Sequence, residues 1–162
     1  MIKVGQPFPD FRLANQDGRE RSLADYRGRW LVLYFYPKDM TPGCTRQACA
    51  FRDEIAAIGS RGAEVVGVSP DSAAKHAKFA TKESLPFPLL SDPTNDISSA
   101  YGVWRMKKLY GREYMGVVRT TFIIDEGGRI AHIFPKVAVD RHALEVIAAI
   151  DRLSSEPTGK KH

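Results

Sequence analysis

Hydrophobic and polar positions divide this chain into short, distinct runs. Trp30-Leu-Val-Leu-Tyr-Phe-Tyr36 is continuously apolar or aromatic and is stopped by Pro37. Such a run predicts a strand buried on both faces, central in a sheet covered by helices. From Cys44 to about Ile58 the apolar residues Ala48, Phe51, Ile55 and Ile58 recur at helical spacing, and Gly59 to Gly62 closes the helix. Ala63-Glu-Val-Val-Gly-Val-Ser69 reads as a second buried strand. Asp71 or Ser72 caps a helix running to about Thr81, Pro86 to Leu90 is extended, and Ser91-Asp-Pro opens a short helix through about Tyr101 with Pro93 in its first turn. Thr120 to Ile124 and Arg129 to Phe134 are strands joined by the turn Asp125-Glu-Gly-Gly128. Asp140 to Leu153 is an amphipathic helix with Leu144, Ile147 and Ile150 on one side. Ahead of all this, Phe8, Phe11 and Leu13 alternate loosely with polar residues, Asn15 to Gly18 signals a turn, and Ser22 to Asp25 a helical turn, which suggests two short strands or a hairpin.

Strand–helix–strand units imply parallel pairing with right-handed crossovers, and the closing hairpin adds antiparallel strands. A mixed sheet with helices on both faces follows. The 162 residues make one domain, spanning 1–153, with 154–162 a flexible polar tail.

Composition narrows the class. Apolar residues are 43% and charged residues 27%, enough apolar surface to offset ordering entropy, so wholesale disorder is excluded. The longest apolar run falls far short of the roughly 20 residues of a membrane-spanning helix. The opening Met-Ile-Lys-Val-Gly has no apolar core with a cleavage site, so the expected location is the reducing cytoplasm. Two cysteines there are free or catalytic rather than a permanent crosslink. Net charge is +5, densest between Arg105 and Arg119, but no nucleic-acid-reading pattern accompanies it, and no nucleic acid or membrane partner is expected.

The chemistry concentrates between Tyr36 and Cys49. Cys44 falls just after a buried strand and within the first turn of a helix, with Pro42 suited to the first helical position and Thr41 or Thr45 to the cap. Unpaired backbone N–H groups and the positive end of the helix dipole favour thiolate over thiol there. Cys49 lies five positions on. Along an unbroken helix the two Cα atoms would be about 8.7 Å apart, beyond the roughly 7 Å that a disulfide spans. The two residues can bond only if the first turns unravel, and Cys49 also suits a core position. His76, His132, His142 and His162 are scattered and two cysteines cannot complete a zinc site, so no metal is expected. There is no C-x-x-C, no phosphate-binding loop and no dinucleotide fingerprint.

The run Pro37-Lys-Asp-Met-Thr-Pro-Gly-Cys44 fits the P-x-x-x-T/S-x-x-C signature of peroxiredoxins. The longer Y-F-Y-P-K-D-M-T-P-G-C-T-R-Q-A-C resembles the Q-type subfamily, also called bacterioferritin comigratory protein. V-G-Q-P-F-P-D-F at the start, L-L-S-D-P, Y-G-V-W and R-T-T-F-I-I-D extend the resemblance over about residues 3–153. It implies a thioredoxin-like α/β fold with an N-terminal β-hairpin extension. It also implies a thiol peroxidase without haem, flavin or metal, acting on hydrogen peroxide and organic hydroperoxides. By the same resemblance Cys44 matches the peroxidatic cysteine, oxidised to a sulfenic acid. Thr41 matches the hydroxyl that bonds the peroxide, Arg119 the arginine beside the thiolate, and Pro37 the residue that shields it. Cys49 matches the resolving cysteine, which forms an intramolecular disulfide recycled by thioredoxin or a similar dithiol; with resolution internal, a monomer is expected. Two other readings of the residues stand beside this one: a thiol–disulfide oxidoreductase on the same fold, and a basic binding or holdase protein with structural thiols.

Overall fold

The structure, a computed structural model, describes residues 2–155. The tail expected from 154 begins later, since Ser154 still belongs to the last helix and Ser155 caps it, and residues 156–162 lie outside the described residues. Nine strands and five helices follow one another as β1 (Arg12–Ala14), β2 (Glu20–Ser22), a 3-10 turn (Leu23–Tyr26), β3 (Trp30–Phe35), α1 (Pro42–Asp53), α2 (Ile55–Gly59), β4 (Ala63–Ser69), α3 (Ala73–Glu83), β5 (Leu89–Ser91), α4 (Asp96–Ala100), β6 (Trp104–Leu109), β7 (Arg112–Val117), β8 (Thr120–Ile124), β9 (Ile130–Phe134) and α5 (His142–Ser154). Seven strands form one mixed sheet in the order β2-β1-β5-β4-β3-β8-β9, and β6 and β7 pair apart from it. None of the described helices is long and apolar enough to cross a membrane.

The uninterrupted apolar run of β3 has the expected consequence, since every residue from Trp30 to Tyr36 is buried. Side chains alternate across the sheet. Val32 and Tyr34 join Ala48, Phe51, Ile58, Phe79, Val146 and Ile150 under the α1, α2, α3 and α5 layer. Leu31, Leu33 and Phe35 face the opposite way, into a second core with Phe8, Phe11, Leu23, Tyr26, Tyr101 and Val117. Helices thus flank both faces unequally: one carries four, while the other is closed by the N-terminal segment, the 3-10 turn, α4 and the base of the β6–β7 hairpin.

The strand directions place the site. β3 runs parallel to β4, so the chain leaves both at the same end. β8 runs antiparallel to β3 with Phe35 opposite Thr120. Arg119, the residue before β8, therefore arrives where β3 hands over to α1.

Several expectations need correction. α5 starts at His142 rather than Asp140, and it buries Ala143, Val146, Ala149 and Ile150 while Leu144 is exposed. The helix expected over residues 44–58 begins at Pro42 and breaks at Glu54, whose φ of −105° and ψ of 10° leave the helical region before α2 resumes at Ile55. α4 starts at Asp96 rather than near Pro93, because the Asp92 carboxylate accepts the free N–H groups of Ile97 and Ser98. α3 runs on to Glu83, where Ser84 ends it in the left-handed region at φ 54°. The hairpin of β6 and β7 has no counterpart in the sequence reading, which took this stretch only as a basic patch.

Candidate active site

Thr41 is the N-cap of α1, Pro42 its first residue and Cys44 its third. Thr41 has extended backbone angles and its carbonyl accepts the Thr45 N–H at 2.8 Å, the opening bond of the helix. Its hydroxyl does not cap. It donates to the Lys38 carbonyl at 2.9 Å, closing the loop on itself. Cys44 is 1% exposed and in no disulfide, a free thiol within the first turn. Pro37, half-buried, opens the loop immediately after β3.

Arg119 crosses to this helix from the start of β8. Its Nη2 lies 3.4 Å from Cys44 Sγ and its Nη1 donates to Gln47 Oε1 at 2.5 Å. The planar fork of a guanidinium suits this double contact, because two donors on one rigid group fix its orientation. Gly43 makes room for it: a Cβ there would stand 3.3 Å from Arg119 Nη2. A half-buried cation beside a sulfur at a helix N-terminus stabilises negative charge on that sulfur and on an oxygen brought up to it.

Around this pair lie groups that motif reading did not single out. Gln47 is buried, one turn after Cys44, and its Nε2 has no protein partner among the described residues. The Tyr34 hydroxyl is likewise buried without a partner, and burial first and the Cys44 charge second push its pKa well above the ordinary value. Lys107 donates to the Val117 carbonyl at 3.0 Å; burial pushes its ammonium pKa down, Arg119 pushes the same way, and the Cys44 charge opposes. The loop before Cys44 is pinned by a buried cluster. Asp39 Oδ1 accepts from the Tyr36 hydroxyl at 2.5 Å, its Oδ2 pairs with His76 Nδ1 at 2.6 Å, and its N–H donates to Asp71 Oδ2 at 2.6 Å. His76 Nε2 meets the Leu90 carbonyl at 2.9 Å. Next in line, Met40 adopts φ 66°, a left-handed angle that the flanking bonds enforce. The signal for Gln47 was only its helical spacing from Cys44. Nothing local pointed to His76 or Lys107, which arrive from elsewhere in the chain.

Cys49 shares α1 with Cys44 but turns elsewhere. It is partly exposed and its Sγ donates to Glu83 Oε1, at the end of α3, at 3.4 Å. Burial pushes its thiol pKa up and the Glu83 hydrogen bond pushes the same way. The five predicted residues thus divide. Cys44 and Arg119 are in direct contact, Thr41 and Pro37 shape the loop and helix start beside them, and Cys49 faces a carboxylate on another helix.

A buried thiol at a helix start, held under an arginine from a neighbouring strand, defines a thiol-based redox enzyme on a thioredoxin-like sheet. The profile of the AhpC/TSA family matches residues 4–133. Peroxiredoxin Bcp of Bacillus subtilis is 46% identical over 155 residues, covering 96% of this chain and 99% of that one. Peroxiredoxin Bcp of Escherichia coli is 42% identical, covering 87% and 90%. Among solved structures, Xanthomonas campestris Peroxiredoxin Q superposes with a TM-score of 0.83 at 37% identity, over 88% of this chain and 90% of that one. A cysteine-to-serine variant of Xylella fastidiosa PrxQ reaches 0.90 at 32% identity, over 96% and 99%. The chain belongs to the AhpC/TSA family, among the peroxiredoxins of the Bcp or Q type, which are thiol peroxidases.

Proposed function

We propose that this protein reduces hydrogen peroxide and organic hydroperoxides through Cys44, and serves in antioxidant defence. The observation that carries this reading is the Arg119 guanidinium 3.4 Å from the buried Cys44 sulfur at the α1 N-terminus. The thiolate attacks one peroxide oxygen; the O–O bond breaks, Cys44 becomes a sulfenic acid, and the other oxygen leaves as water or alcohol once protonated. Arg119 stabilises charge as it develops on both oxygens. The Thr41 hydroxyl, close by at the N-cap, is the group to bond the bound peroxide, and Pro37 limits water at the sulfur. Organic peroxides are included because a related Xanthomonas campestris bacterioferritin comigratory protein, 34% identical, is described with alkyl peroxide reduction activity.

Cys49 then attacks the sulfenic sulfur. The S–S bond forms, the S–O bond breaks, and the thiol proton leaves with hydroxide as water. Thioredoxin or a similar dithiol reduces the disulfide by exchange. Resolution within one chain needs no partner subunit, so the working unit is a monomer, in the reducing cytoplasm. No haem, flavin or metal enters the cycle.

The test is stoichiometric. Reduced protein receives one equivalent of hydrogen peroxide at neutral pH, is quenched with an alkylating reagent and is weighed. Loss of two hydrogens and of both alkylation sites within seconds is the expected result. Two alkylated thiols and an unchanged mass after minutes would overturn it.

A further inference from the structure

Two bonds tie the middle of α1 to the end of α3, and both end on Glu83. Cys49 Sγ donates to the Glu83 carboxylate at 3.4 Å. Arg52 Nη1 donates to the Glu83 main-chain carbonyl at 2.6 Å. Glu83 is the last residue of α3, at the negative end of its dipole, where a carboxylate is poorly placed. The thiol donates to its carboxylate and the guanidinium to its main-chain carbonyl, from residues one turn of α1 apart.

The fold gives this contact a consequence. Cys44 and Cys49 both lie within the unbroken helix Pro42–Asp53, with Cα atoms about 8.7 Å apart by helix geometry. A disulfide requires about 7 Å or less. Before the sulfurs can join, part of α1 must open and Cys49 must leave Glu83. Every contact that keeps Cys49 on α3 lowers the open fraction, and the rate of disulfide formation scales with that fraction.

We propose that Glu83 is a latch on Cys49, a positioning residue that keeps this sulfur as a thiol turned toward α3 and so sets how fast it reaches an oxidised Cys44. The proposal rests on the reading of Cys49 as the resolving cysteine. The charged groups that face Cys49 are Glu83 from α3 and Arg52 and Asp53 from its own helix, with the Tyr34 hydroxyl more distant on β3. Burial and Glu83 both hold the Cys49 proton on, and Arg52 opposes them. A slow latch leaves the Cys44 sulfenic acid standing longer, open to a second peroxide and to the irreversible sulfinic acid.

Glu83→Ala and Glu83→Gln in the full-length protein test this. Glu83 is half-exposed at a helix end, so both variants retain the fold, which thermal melting checks. Reduced protein is pulsed with hydrogen peroxide, quenched with an alkylating reagent at intervals, and weighed. The sulfenic acid should form at the wild-type rate. The disulfide should then grow roughly three- to tenfold faster in Glu83→Ala, the span expected for one lost hydrogen bond of ordinary strength, since a thiol is a weak donor, with Glu83→Gln between. With excess peroxide, sulfinic acid should accumulate less. In a Cys44→Ser background, the alkylation profile of Cys49 should move to lower pH in Glu83→Ala, a shift that a packing role would not produce. Disulfide growth that is unchanged or slower, or an unmoved Cys49 profile, overturns the latch; slower growth would make Glu83 a proton acceptor instead. A wild type that loses its sulfenic acid without forming the disulfide overturns the reading of Cys49, and the latch falls with it.

Discussion

Cys44 and Cys49 stand five residues apart on a single helix, yet their surroundings are opposed. Cys44 is 1% exposed, in the first turn, under a guanidinium from another strand. Cys49 is partly exposed, mid-helix, against a carboxylate from another helix. The helix dipole and Arg119 act together to favour negative charge on the first sulfur. Burial and Glu83 act together to keep the second protonated. One helix thus carries one sulfur under a cation and another against a carboxylate. The difference comes from which elements reach α1 at each height: β8 at its start, α3 at its middle.

The bluntest way to break the comparison is to remove each sulfur in turn. Cys44→Ser is expected to abolish peroxide consumption. Cys49→Ser should keep the first oxidation of Cys44, read by mass, while losing turnover driven by a dithiol reductant. Retained dithiol-driven turnover in Cys49→Ser would show a one-cysteine cycle with an external thiol.

The next contrast concerns rigidity. The loop before Cys44 is pinned through Asp39 to Tyr36, His76 and Asp71, all fully or largely buried. His76→Ala leaves Asp39 Oδ2 and the Leu90 carbonyl buried without their His76 partner, while Oδ1 keeps the Tyr36 hydroxyl. The expected cost is about 3–5 kcal/mol of unfolding free energy, read from urea midpoints. A loss below about 1 kcal/mol would mean that the cluster does not fix the loop.

Arg119→Met sharpens the electrostatic side. It removes the cation from Cys44 and the donor from Gln47 while keeping most of the side-chain bulk. Oxidation of Cys44 by hydrogen peroxide should slow by about 10²–10³-fold, the usual loss when a preorganised charge-stabilising donor is removed. Alkylation of Cys49 should hardly change, since Arg119 does not contact it. Arg119→Lys should recover only part of the rate, because an ammonium cannot fork between Cys44 and Gln47.

The same opposition explains what the sequence could and could not disclose. β3 and β4 were legible because burial on both faces demands a continuous apolar run, and that pattern survives any context. Cys44, Thr41, Pro37 and Arg119 were legible through spacing and resemblance, and the β3–β8 register then placed Arg119 beside Cys44. The hairpin of β6 and β7 was missed because its outer half is solvated on both faces. Met106, Lys108, Arg112 and Tyr114 carry no alternation of apolar and polar residues. Its turn went unread with it: Tyr110 and Gly111 have φ of 52° and 77°, the pair of left-handed angles that a tight two-residue hairpin loop needs. The break at Glu54 left no trace, since no glycine or proline marks it and the apolar spacing runs through. His76 and Glu83 were silent for another reason. Each matters through a partner far along the chain, and a single sequence does not pair distant polar residues.

The mildest test uses acid. His142, at the start of α5, is fully buried, with Nε2 2.7 Å from Thr121 Oγ1 and its ring edge-on to Phe51 of α1. Its Nδ1 has no hydrogen-bond partner among the described residues, and Glu145 Oε1 stands 3.7 Å away. Burial lowers its pKa to about 4; Glu145 opposes this, and Arg119 adds a smaller push downward. The unfolded chain takes up this proton at the ordinary value near 6.5, so between about 6.5 and 4 the unfolded state binds more protons than the folded one. Stability then rises with pH across that window. The contribution of His142 is whole above about 6.5, is lost progressively as pH falls, and is spent below about 4, at up to roughly 3 kcal/mol. Urea midpoints at pH 7 and pH 4.5 measure it. His142→Gln should be the less stable protein at pH 7, through its disturbed packing on Phe51, but should lose less on acidification than the wild type. An equal acid loss in both would assign the sensitivity to other groups and leave α1 held alike at both pH values.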